Sequence, residues 1–188
     1  NNKEEYLIKI GTSVSKLDLF IKEIIDYSRN NRLAIHLERI DLKEMCAEII
    51  EDLRYMENFQ KIKFELSGPA SKTIFTDRIR LKIIMNNLLS NAIKFQKKVG
   101  NDIPLIQLSC FEGINSIKIM VEDNGEGIKP EIEPKIFDMF FRGHPDSNGS
   151  GLGLYIAREA AEKLKGNIMV SSEYGKGTTF TVEIPLNV

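Results

Sequence analysis

The sequence has no apolar run approaching the ~20 residues needed to cross a bilayer, and no signal peptide opens it. This segment is therefore expected to make no membrane contact and to lie in the cytoplasm, any anchor belonging to a parent protein. Cysteine is scarce. Cys46 and Cys110 each sit in an apolar context without metal-ligand spacing, so they read as buried thiols in a reducing compartment and not as a disulfide. Neither sign of charge dominates: Lys+Arg 26 against Asp+Glu 27 gives a net charge of -1. That argues against a nucleic-acid partner held by bulk positive charge. Internal repeats and low-complexity tracts are also absent. What is present is 188 residues, 42% hydrophobic and 28% charged. That is the composition of one soluble domain, or one domain with an appendage, long enough to bury a core without staples. The chain does not begin with Met and opens inside a helical pattern, as a piece of something longer would.

Leu7, Ile10, Val14, Leu17, Ile21, Ile24 and Ser28 step by three and four alternately. This is the rhythm of a helix with a seam, and Phe20 and Ile25 widen it toward a bundle. A helix packed on its own domain has the same pattern. The length of the stripe and its place at a chain end favour a bundle or intermolecular role. Asp41 followed by Glu44 predicts a capped helix to about Met56. Lys61 to Leu66 and Thr73 to Thr76 read as strands, and Asp77 caps a helix from Arg78 to about Phe95. Leu105 to Phe111 and Ser116 to Glu122 read as strands joined at Gly113-Ile114-Asn115. A helix over Leu152 to Lys165 ends at Gly166, and a hairpin follows around Gly175-Lys176-Gly177. The expected fold class is α+β: a two-layer α/β sandwich with a mixed sheet of about five strands and three helices, preceded by a long N-terminal helix. The expected division is residues 1–31 for that helix, 32–40 for a linker and 41–188 for the sandwich.

Four features carry candidate chemistry. On the helix after Asp77, Leu81, Ile84, Leu88, Ala92 and Phe95 form an apolar face, with Asn87, Asn91 and Lys94 beside it at spacing four then three. Two amide oxygens and an ammonium suit a hard cation and a phosphate; a solvated helix edge is the plain alternative. Asp123-Asn124-Gly125-Glu126-Gly127-Ile128 ends a strand in a tight turn whose carboxylate could accept from an exocyclic amine, though such a turn is common. Gly149-Ser150-Gly151-Leu152-Gly153-Leu154 opens a helix, where bare N–H groups and the helix dipole favour an anion. It matches neither a dinucleotide fingerprint nor a phosphate-binding P-loop. Gly175-Lys176-Gly177-Thr178-Thr179-Phe180 taken alone is a hairpin turn. Between the second and third features, Asp123 to Gly149 is long and weakly periodic, as functional loops are.

In this order the four features resemble the catalytic domain of sensor histidine kinases, within the ATPase superfamily shared with DNA gyrase. Asn87 to Phe95 looks like the N box, and Asp123 to Gly127 like the first G box. Phe137 to Gly143 looks like the F box, whose last aromatic is often Tyr. Gly149 to Gly153 and Gly175 to Phe180 look like the second and third G boxes. The resemblance runs from about Asp41 to Leu186. It implies Asn91 as the main Mg²⁺ ligand, with Asn87 assisting and Lys94 near the phosphates. It implies Asp123 as acceptor for the adenine amine, with Gly125, Gly127 and Ile128 around the base and Thr178 supporting that side. Gly149, Gly151, Leu152 and Gly153 would meet the phosphates, Phe137 and Phe140 would anchor a lid, and Arg142 would reach the γ-phosphate. ATP and Mg²⁺ are the implied cofactors.

Ser15 to Asn31 resembles the second helix of the dimerisation and phosphoacceptor hairpin, which implies a homodimer in the full-length protein and a response-regulator receiver domain as partner. The hairpin's first helix, which carries the phosphorylated His, is not in this sequence. His36 falls in the linker and His144 in the lid beside Pro145, and neither has the expected helical setting with an acidic neighbour. Two other readings stand beside this one: a serine kinase of the anti-sigma type, which usually lacks the long leading helix, and a degenerate ATP-binding module. A gyrase-like or mismatch-repair-like ATPase would place a Glu base on the N-box helix, where this chain has Asn87 one turn before Asn91.

Overall fold

The computed structural model describes residues 2–67, 73–97, 103–143 and 149–186, and the side chains of only part of the first helix. The elements are α1 (Asn2–Arg32), β1 (Leu37–Asp41), α2 (Leu42–Asp52), β2 (Lys63–Ser67), β3 (Thr73–Asp77), α3 (Arg78–Lys94), β4 (Leu105–Glu112), β5 (Ser116–Asp123), α4 (Gly153–Lys163), β6 (Asn167–Glu173) and β7 (Gly177–Pro185). Two short 3₁₀ turns, Phe59–Lys61 and Glu133–Lys135, lie in the connections.

Five strands form one sheet in the order β2-β4-β5-β7-β6. β2 runs parallel to β4 and the other pairs are antiparallel. Side chains alternate across a strand. Ile117, Ile119 and Val121 of β5 therefore share the buried face with Ile106 and Leu108 of β4 and with Phe180, Val182 and Ile184 of β7. Lys118, Glu122, Thr179 and Glu183 fall on the other face, where charge is tolerated. α3 and α4 cover the buried face and pack on each other. This is the expected mixed five-stranded sheet under helices.

α3 is buried more widely than one stripe. Leu81, Ile84, Leu88 and Ala92 are buried as expected, but so are Ile83, Met85, Leu89 and Ile93, because α2 and α4 also press on this helix. Phe95 departs from the expected apolar face. It is 41% exposed, since the helix ends at Lys94 and Phe95 leaves helical geometry at ψ 27. Asp77 does cap the helix, accepting from Arg80 N at 3.0 Å. Asp41 caps α2 through Glu44 N at 3.0 Å, yet α2 stops at Asp52, short of Met56. The chain turns there to bring Leu53 and Phe59 into the core, with Phe59 and Phe64 rings 5.1 Å apart. Asn58 makes the turn at φ 65, a conformation Asn tolerates better than most residues.

The segment read as a linker, 32–40, contains most of a strand. β1 pairs antiparallel with β3 in a separate two-stranded sheet, Leu37 opposite Asp77 and Asp41 opposite Thr73. In α1, the seam residues Leu7, Ile10, Val14, Leu17, Ile21 and Ile24 are exposed. Glu23, Tyr27 and Asn30, on another face, turn toward the domain. Cys46 is buried and Cys110 half-buried, and neither is in a disulfide; burial pushes the Cys46 thiol up to about 11.

Candidate functional site: a nucleotide cleft

Asp123 is the last residue of β5 and falls on the buried face by the two-residue alternation of the strand. It is 7% exposed. Its Oδ1 accepts from Gly125 N at 2.8 Å, and Thr178, its register partner on β7, donates a backbone hydrogen bond to it. Burial raises the carboxyl to about 6, against the lowering effect of those two bonds. The group is thus a costly acceptor held in place for a donor.

The turn after Asp123 is held on several sides. Glu126 N donates to Phe95 O at 2.9 Å, and Gly175 N to Glu126 O at 2.8 Å. Gly127 sits at φ 68 against the backbone of Glu173, where a Cβ would collide. Ser172 Oγ accepts from Ile128 N at 2.8 Å and lies 3.0 Å from Thr178 Oγ1. Ser172, absent from the residues chosen by sequence, ties the turn to the last hairpin. Its signal was only an inward position on β6.

On α3, Asn87 Nδ2 donates to Ile83 O at 2.8 Å. That bond leaves Oδ1 as the outward end of the amide, and it stands 2.6 Å from where a Cβ on Gly153 would be. Asn91 and Lys94, both half-buried, lie on the same side of α3. Lys94 Nζ lies 2.7 Å from the Cβ position of Gly149 and 5.1 Å from the Phe95 ring. Burial lowers the Lys94 ammonium, Glu23 opposes that shift and Arg142 adds to it. α3 therefore faces the glycine loop with the Asn87 amide oxygen and the Lys94 cation.

That loop opens α4 without a side-chain cap at Leu152, so first-turn N–H groups remain for an anion. Gly151, at φ 79, lies where a Cβ would come within 2.6 Å of Phe140 C and Phe141 O. Leu152 is buried and roots the loop in the core. Opposite, Ile136 is buried and Phe137 meets Phe180 edge-on at 6.3 Å, with the Arg158 guanidinium 5.7 Å from its ring. Phe137 thus packs the long segment against the sheet. Phe140 does not: its side chain is 57% exposed and its φ is 64. The close passage of the backbone at Gly151 turns the ring outward, and Ile136 and Phe141 pack in its stead. His144 and Pro145 lie outside the described residues.

Sequence reasoning also missed Glu23. Its Oε2 accepts from Ser150 Oγ, which itself accepts from Leu152 N at 2.9 Å. The hydrophobic pattern of α1 drew attention to the opposite face of that helix.

A carboxylate acceptor at one end and a cation-and-amide cradle at the other, on an α/β sandwich, are groups that suit a nucleotide. Residues 76–188 match the model of the histidine kinase-, DNA gyrase B-, and HSP90-like ATPase family. The chain belongs to that family, as an ATP-binding catalytic domain of the sensor histidine kinase type. It is similar to the aerobic respiration control sensor protein ArcB of Escherichia coli, at 33% identity over 97% of this chain and 24% of the relative. It is similar to the histidine protein kinase SaeS of Staphylococcus epidermidis, at 33% identity over 96% of this chain and 51% of the relative. Among solved structures, the catalytic domain of histidine kinase ThkA matches with a TM-score of 0.67 and 26% identity, over 80% of this chain and 98% of that one. The chain thus spans about a quarter to a half of these curated relatives.

Proposed function

We propose that this domain holds Mg-ATP and transfers the γ-phosphoryl group to a histidine on a hairpin helix of its parent kinase, for relay to an aspartate of a response-regulator receiver domain. The observation that carries this reading is the buried Asp123 carboxylate, fixed by Gly125 and Thr178 at one end of a cleft whose other end is Asn87, Asn91, Lys94 and the Gly149–Gly153 loop. A carboxylate there accepts from the exocyclic amine of adenine, with Gly125, Gly127 and Ile128 around the base and Thr178 behind it. Asn91 and Asn87 fit a Mg²⁺ ion, because amide oxygens suit a hard cation and Asn87 Nδ2 is already committed to Ile83 O. Bound there, the ion would neutralise charge on the phosphate oxygens. Lys94 and the N–H groups of Gly151 and Gly153 bind the phosphates, Leu152 N being given to Ser150 Oγ, and Arg142 reaches toward the γ-phosphate from the flap. The chain's contribution is position and charge, which is most of what phosphoryl transfer requires. In the step itself, a histidine ring nitrogen bonds to the γ-phosphorus, the bond to the β–γ bridging oxygen breaks, and ADP departs.

The exposed seam of α1 is the surface for the rest of the hairpin and for homodimer formation, and the domain acts in the cytoplasm. The test is a phosphotransfer assay with a separate hairpin carrying the histidine. Acid-labile, base-stable label should appear on that hairpin with Mg-ATP, and should be lost with Asn91→Ala. Nucleotide binding without transfer to any hairpin histidine would reduce the domain to an ATP-binding module.

A further inference from the structure

The phosphate end of the cleft already holds an anionic group of the chain itself. Glu23 projects from α1 to the start of α4, where its Oε2 accepts from Ser150 Oγ. Its Oε1 stands 3.8 Å from the Cβ position of Gly153, the same point that Asn87 Oδ1 approaches to 2.6 Å. Lys94 interacts with it through charge. The groups around this carboxylate are therefore those assigned to the phosphates and their metal ion: the glycine loop, the start of α4, an N-box amide and the N-box lysine.

α1 is held in this position one turn further on, where the rings of Tyr27 and Tyr155 lie 6.2 Å apart, and again at Asn30, which is fully buried. Glu23, Tyr27 and Asn30 are spaced four and three, one face of a helix. The arrangement carries a penalty as well. The Asn30 amide is buried with neither Nδ2 nor Oδ1 partnered, and burial also raises the Glu23 carboxyl from its ordinary value. Buried polar atoms without partners oppose the docked position, so the part of α1 ahead of Asn30 can swing away while Arg80 keeps hold of Asn30 O.

We propose that α1, docked in this way, is an autoinhibitory strap in which the Glu23 carboxylate takes the place of the terminal phosphate of ATP. The inference rests on the nucleotide reading of the site and adds a discrimination to it. A diphosphate fits beneath the strap. A triphosphate competes with Glu23 for Ser150, Lys94 and the start of α4, and binds fully only when α1 swings away. Movement of the hairpin helix would then open the site to substrate.

The test compares affinities for ADP and for a non-hydrolysable ATP analogue, both with Mg²⁺, in the full chain and in Glu23→Gln. The glutamine keeps size and an acceptor for Ser150 but loses the charge. It should tighten the triphosphate about tenfold while the diphosphate changes less than twofold. Tyr27→Ala loosens the strap without altering charge, and should move the ratio in the same direction by a smaller factor. ADP binding by the parent chain establishes the nucleotide site independently. With that in hand, a triphosphate-to-diphosphate ratio within twofold of the parent in both variants overturns the strap. Failure of the parent to bind either nucleotide overturns the nucleotide reading together with it.

Discussion

At the scale of single residues, Asp123 shows how position on a strand becomes chemistry. Its alternation puts a carboxylate on the core side, where burial lifts it to about 6 from an ordinary 3.8. Between those two values the folded chain holds a proton that the unfolded chain releases. Stability therefore falls as pH rises through that window, by an amount on the order of 3 kcal/mol. Asp123→Asn removes this cost and keeps an oxygen for Gly125 N, so the ligand-free domain should melt higher at neutral pH, checked by thermal unfolding. The same change should weaken ATP, because an amide offers one acceptor where a carboxylate offers two. In the parent, ATP affinity should fall as pH drops below about 6, approaching about tenfold per unit, while Asp123→Asn shows a flat profile in titrations across pH. Asn91→Ala should weaken ATP by about tenfold or more in Mg²⁺ and little in chelator, since loss of one ligand matters only when the ion is present. Equal binding in Mg²⁺ would remove Asn91 from the metal site. Asp123 and the asparagines were readable from the sequence because glycines and mid-helix amides break local propensity. Ser172 and Glu23 were not, because their partners lie on elements far away in the chain.

Elements meet at a buried joint between α1 and α3. Arg80, 2% exposed, donates to Asp77 Oδ2 at 2.7 Å, to Asn30 O at 2.9 Å and to Leu33 O at 2.6 Å. His36 N adds a bond to the same Asp77 oxygen at 2.9 Å. One ion pair thus fixes the end of α1, the entry to β1 and the cap of α3. Arg80→Ala leaves the Asp77 carboxylate buried and unpaired, so it should cost about 3–5 kcal/mol, read from the urea midpoint. The long segment after β5 is two elements, not one lid. Gly125, Glu126 and Gly175 are hydrogen-bonded into the sheet end, and their amides should exchange slowly with or without nucleotide. Residues 138–143 lie beyond the Ile136–Phe137 anchor and include exposed Met139, Phe140 and Arg142. Their amides should exchange fast in the free domain and slow with an ATP analogue. Strong protection there in both states would mean a rigid flap. The sequence marked the glycines of this segment but not its inner division, which depends on bonds to Phe95 O and Ser172 Oγ.

For the molecule as a whole, the placement of His36 makes a clear expectation. Its backbone is bound at the cap of α3, and Asn91 lies fourteen residues along that helix, about 20 Å at 1.5 Å per residue. The chain should bind ATP without labelling His36, and acid-labile phosphate on that residue would contradict the geometry. The sequence by itself determined the hydrophobic alternation of the strands, the caps at Asp41 and Asp77 and the order of the glycine turns. All of these rest on neighbours within a few residues, where sterics and capping act directly. Tertiary structure decided the rest: the β1–β3 sheet, the early end of α2, the outward turn of Phe95 and Phe140, and the approach of Glu23 to the glycine loop. Each depends on a contact between residues distant in the chain. Its value comes from burial and pairing that exist only once both partners are in place, so no local pattern records it.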